Sequence, residues 1–80
     1  MASFGYSSST VEIIMTSWRS AVTMTIGPNE TFDRIALRYC SAGHGPYNGI
    51  HLYFSGREIS FKDTASSLRL RNGDTVHVKW

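Results

Sequence analysis

Apolar and polar residues alternate along several stretches of this chain, and in one they change to the spacing of a helix. Val11, Ile13 and Met15 alternate with Glu12, Ile14 and Thr16, the period of a strand with one face buried. After the break Ser17-Trp18-Arg19-Ser20, Val22, Met24 and Ile26 alternate with Thr23 and Thr25, so a hairpin is expected. Gly27-Pro28-Asn29-Glu30 closes the second strand. Thr31 then stands where a helix N-cap belongs, with Asp33 in the first turn beside the positive end of the helix dipole. Phe32, Ile35, Ala36, Tyr39 and Cys40 form one apolar stripe, while Asp33, Arg34, Leu37 and Arg38 face elsewhere, which is one amphipathic helix. It must stop in Gly43-His44-Gly45-Pro46, where two glycines and a proline cannot continue it.

Strand periodicity returns at Ile50, Leu52 and Phe54, alternating with His51 and Tyr53, and turns at Ser55-Gly56. Ile59 is placed at the start of a short fourth strand. Phe61 to Leu68 reads as irregular or as one short helical turn. Asn72-Gly73-Asp74 is a turn signal before a last strand in which Val76, Val78 and Trp80 share one face and Thr75, His77 and Lys79 the other. The predicted order is β-β-α-β-(β)-β, an α+β domain over residues 11–80. Residues 1–10, rich in Ser with isolated Phe4 and Tyr6, offer no periodic face to bury and are expected to be a flexible leader.

Composition narrows the function classes. Eighty residues enclose one hydrophobic core at most, and with 41% hydrophobic residues the chain has enough apolar material to fold, unlike charge-rich disordered sequences. Eight Lys and Arg against six Asp and Glu leave a formal charge of +2, which is no basic stripe of the kind that phosphate neutralisation needs; nucleic acid is not where the charge points. The single Cys40 has no partner for an internal disulfide or a zinc knuckle. No stretch is long and apolar enough to span a bilayer, and no secretory signal opens the chain. An intracellular protein, cytoplasmic, nuclear or both, is expected, without membrane contact.

The order of strands, the helix start from Pro28 to Thr31-Phe32, the run Ile50-His51-Leu52-Tyr53-Phe54-Ser55-Gly56-Arg57-Glu58-Ile59 and the close Gly73-Asp74-Thr75-Val76-His77-Val78 resemble ubiquitin and its small ubiquitin-like modifier (SUMO) relatives over residues 11–80. The segment Asp63-Thr64-Ala65-Ser66-Ser67-Leu68 followed by Asn72-Gly73-Asp74 is closer to the SUMO-like branch. The resemblance implies a ubiquitin-like β-grasp fold, a mixed four- to five-stranded sheet packed on one α-helix. It departs from conjugated members at the end, where the last strand runs into Trp80 without a diglycine tail, so a member that is not itself attached to targets is expected. The alternative is a modifier whose tail is missing from this chain.

Two protein-binding surfaces follow from the resemblance. On the outer sheet face, the positions matching the apolar patch of ubiquitin are Tyr53, His77 and Lys79, with Trp18 at its edge; surface Tyr and Trp are common binding anchors. SUMO-like modules also bind a partner's short apolar strand, with an acidic flank, along the second strand and the helix. The corresponding positions are Val22, Thr23, Met24 and Thr25, with Arg34, Arg38 and His51 as the basic groups. Parity makes Val22 and Met24 core residues and leaves Thr23 and Thr25 exposed.

Catalysis has little support. A nucleophilic thiolate needs a partly exposed site within reach of an imidazole, whereas Cys40 falls on the apolar stripe of the helix. His44, His51 and His77 show no metal-ligand spacing, and no glycine-rich phosphate loop is present. No enzyme activity, cofactor or metal is expected. The function expected is a monomeric interaction module whose partners are proteins, ubiquitin- or SUMO-pathway components or a short apolar-acidic peptide motif. A small nucleic-acid binder using Tyr53, Trp18 and the arginines is the remaining alternative.

Overall fold

The computed structural model describes residues 10–80. Apart from Thr10, the expected leader lies outside the described residues. Strands β1 (Val11–Thr16), β2 (Ala21–Ile26), β3 (His51–Phe54), β4 (Arg57–Glu58) and β5 (Thr75–Lys79) form one mixed sheet, in the spatial order β2-β1-β5-β3-β4. Helix α1 (Phe32–Tyr39) packs on one face of it, and a short helix α2 (Ala65–Leu68) lies in the connection from β4 to β5.

The alternation seen in the sequence sets which face each strand buries. Ile13 and Met15 of β1, Leu52 of β3 and Val76 and Val78 of β5 are buried against Phe32, Ile35, Ala36 and Tyr39 of α1. Each fully buried aliphatic or aromatic side chain contributes about 1.5–3 kcal/mol relative to leaving it in water. β1 and β2 pair antiparallel through the tight turn at Ser17–Ser20, from Val11 opposite Ile26 to Thr16 opposite Ala21. β1 and β5 run parallel at the centre, Ile14 beside Thr75 and Thr16 beside His77. The 72–74 turn makes that parallel entrance possible by docking on β1. Asn72 Oδ1 accepts from Glu12 N–H, Gly73 N–H donates to Glu12 C=O, and Asp74 C=O accepts from Ile14 N–H, all at 2.8 Å.

Several elements differ from expectation in detail. Thr31 has the extended backbone of an N-cap, yet its side chain caps nothing. The first helical N–H groups, of Phe32 and Asp33, already donate to the carbonyls of Asp63 and Phe61, and the Thr31 hydroxyl donates instead to the Asp33 carboxylate. α1 ends at Tyr39, and Cys40–His44 continue as a wider π-type turn that Gly43 breaks with a φ of 93°. Cys40 is half-buried at the rim of the core, where the expectation was the stripe itself. β4 stops at Glu58, one residue before Ile59, whose side chain is buried and whose N–H donates to Leu52 C=O at 2.7 Å. The hairpin between β3 and β4 turns through Ser55 and Gly56, both at positive φ, the geometry that matches strand twist in two-residue loops. β5 ends at Lys79, and Trp80, expected on the buried face of the strand, is 40% exposed.

Candidate protein-binding surfaces

β2 is an edge strand, with β1 on one side only. Because Glu12 and Ile14 turn their backbone groups toward the 72–74 turn, they cannot also bond β2. The antiparallel alternation then assigns the β1–β2 bonds to Val22, Met24 and Ile26, and points the N–H and C=O of Thr23 and Thr25 toward the open edge. Thr25 C=O is occupied, accepting from Arg38 Nη2 at 3.1 Å. Arg38 is held there by a two-pronged bond to Glu30, 2.9 Å from each carboxylate oxygen.

Beside this edge lies a groove of about 600 Å³. Val22 and Met24 floor it: they are on the core face, as parity required, but α1 does not reach over them and they stay half-buried. Arg38 and Tyr39 form one wall, and Ser41, Ala42 and His44 of the π-type turn close its end. His44 is stacked on Tyr39, ring centroids 4.8 Å apart. Of the residues expected here, Val22, Thr23, Met24, Thr25 and Arg38 come together. Arg34 and His51 do not. Arg34 is exposed on α1 outside the groove lining. His51 sits on β3, separated from β2 by β1 and β5, with its Nδ1 2.7 Å from the Glu58 carboxylate. The π-type turn was missed in the sequence because Gly43 and Gly45 suggested only a stop, and no periodicity marks a wall made of turn residues.

The outer face of the sheet gathers the second set. Tyr53 is opposite His77 and His51 opposite Lys79, so Lys79 reaches diagonally across to place Nζ 5.4 Å from the Tyr53 ring centroid. Trp18 is at the tip of the β1–β2 turn, 84% exposed, and shares a shallow cleft with His77, Lys79 and Trp80. All four expected face residues therefore stand on one side of the molecule. Cys40 is poorly disposed for nucleophilic work, since burial pushes its thiol pKa up and away from the thiolate form. Among the described residues no group of three or more His, Cys, Asp and Glu comes close enough to hold a metal, and no helix is long and apolar enough to cross a membrane.

A family profile described as ubiquitin-2 like, Rad60 SUMO-like, matches residues 11–79. The chain belongs to the Rad60 SUMO-like family of ubiquitin-like domains. Solved structures agree on the fold. Ubiquitin of Caldiarchaeum subterraneum superposes with a TM-score of 0.79 at 21% identity, covering 86% of this chain and 90% of that one. A structure described as molecular mimicry of SUMO promoting DNA repair gives a TM-score of 0.79 at 22% identity, covering 90% and 92%. The N-terminal ubiquitin-like domain of the 4931431F19Rik protein gives 0.78 at 19%, covering 99% and 82%. No curated protein matches the chain. In this Rad60 SUMO-like domain the β-grasp expected from the sequence is the fold, and the SUMO-like branch is the right one.

Proposed function

We propose that this chain is a non-catalytic interaction domain that captures an extended apolar segment of a partner protein along the free edge of β2. The observation that carries this is the open backbone of Thr23 lying next to a groove floored by Val22 and Met24. An added strand gains main-chain hydrogen bonds from the edge and buries alternate side chains in the groove. Arg38, held by Glu30, marks the end of the track at Thr25; a partner pairing with Thr25 C=O displaces that bond. Nothing in this mode requires the chain to be attached to a target. The family and the neighbour described as SUMO mimicry support seeking partners in ubiquitin- and SUMO-type pathways, and a setting in cytoplasm or nucleus goes with such partners.

Replacing Thr23 with Pro removes the outward N–H while leaving the β1–β2 bonds intact, a substitution that edge strands tolerate. Titration of the variant with an apolar peptide bearing an acidic flank, followed by amide shifts on residues 21–26, should show affinity reduced by about tenfold, the equivalent of roughly 1.4 kcal/mol and within reach of one or two lost hydrogen bonds. Undiminished binding by the folded variant sinks the proposal.

A further inference from the structure

Trp18 takes no part in the core and is 84% exposed, the largest apolar side chain offered to water among the described residues. Trp80 is 40% exposed but fixed: its indole N–H donates to Pro46 C=O at 2.6 Å. Its ring lies so close over Gly45 that a Cβ there would come within 2.3 Å of it, so only glycine permits the contact. One indole is thus free to adapt and the other is preorganised. Between them lies a cleft of about 490 Å³ with Arg19, His44 and Pro46 in its walls. Across Trp18 and Trp80 a second cleft continues to Thr16, His77 and Lys79.

The two fully charged side chains that line these clefts, Arg19 and Lys79, are both cationic. The Arg19 guanidinium stands 5.6 Å from the Trp18 ring centroid, and Lys79 lies over Tyr53. Among the described residues no Asp or Glu lines either cleft. Aromatic anchors within a cationic rim are complementary to an apolar side chain flanked by carboxylates. A second copy of this chain fits poorly, because a two-fold contact over the patch would set Arg19 and Lys79 against the same cations. A nucleic-acid strand would find two full cations, too few to neutralise more than a phosphate or two.

We propose that the Trp18–Trp80 end is a second docking site, separate from the β2 groove, that takes an acidic peptide segment carrying one bulky apolar anchor. The anchor enters between the indoles and its neighbouring carboxylates pair with Arg19 and Lys79.

The test uses the intact chain and a short peptide with one phenylalanine between runs of aspartate. Controls are the same peptide with alanine at the centre, a counterpart with lysine in place of aspartate, and an oligothymidylate. The indole N–H resonances of Trp18 and Trp80 report binding. A saturable shift with the acidic phenylalanine peptide is expected below about 1 mM, weakened about tenfold or more by Trp18→Ala and by Arg19→Glu, both exposed positions. The same shift is expected in the Thr23→Pro variant, which separates this site from the β2 edge. The proposal is overturned by no saturable shift, by equal binding of the lysine or alanine peptide, by preference for the oligothymidylate, or by Trp18-dependent self-association in sedimentation.

Discussion

Asp33 shows how one hydroxyl can change a titration. The bond from Thr31, more than the neighbouring Arg34 N–H, holds the Asp33 carboxyl below the ordinary aspartate value near 3.8. A carboxyl with a lower pKa in the folded state stabilises the fold above its unfolded value, and that contribution disappears as pH falls through the folded one. Asp33→Asn should therefore be less stable than the parent near neutrality. In urea melts the gap should narrow as pH drops below about 4, and a gap constant with pH would show the bond to be energetically silent. Cys40 is the opposite case, its thiol raised by burial alone. It should react with a thiol reagent at neutral pH markedly more slowly in the native chain than in the urea-unfolded one. Neither the Thr31–Asp33 bond nor the half-buried rim position of Cys40 was legible in the sequence, because both depend on where the 61–63 loop and the π-type turn settle.

Helices and strands were legible in proportion to the length of their periodic pattern. The stripe Phe32, Ile35, Ala36, Tyr39 located α1, and the alternation at Val11–Met15 and Val76–Val78 located the two central strands. β4, two residues long, has no period to show, and its start was read two residues late, at Ile59, the buried residue that follows it. α2 is likewise too short for a stripe and is fixed by its ends. Thr64 Oγ1 accepts from Ser67 N–H at 3.1 Å while Ser67 Oγ accepts from Thr64 N–H at 2.9 Å, a reciprocal cap, and Arg69 leaves the helix in the left-handed conformation. Thr64→Ala should lower the unfolding free energy by about 1 kcal/mol, measured by denaturant titration. A larger loss would mean the cap also secures the Thr31–Thr64 bridge that ties α2 to the start of α1.

At the scale of the whole molecule, one helix covers a five-stranded sheet incompletely. That is why Val22 and Met24 are on the core face and still reachable from outside. Parity in the sequence assigned their face correctly, but it carries no information about how far α1 extends over the neighbouring strand. The misplacement of His51 has the same origin: strand order, and not strand content, put two strands, β1 and β5, between it and the β2 edge of the groove. Coverage matters most where it is complete. Ile35 is wholly buried between α1 and the sheet, and Ile35→Ala should cost about 2–5 kcal/mol, a large share of the roughly 5–15 kcal/mol that holds a domain together.

The parallel pairing of β1 with β5 bears on what happens when the chain is pulled. Force applied through Val11 and Lys79 acts along two neighbouring strands in opposite directions, so the bonds linking Ile14–Thr16 to Thr75–His77 are loaded together in shear and not opened one after another. A domain strung between two tethered bodies in this way would act as a stiff link, yielding abruptly once that central seam gives.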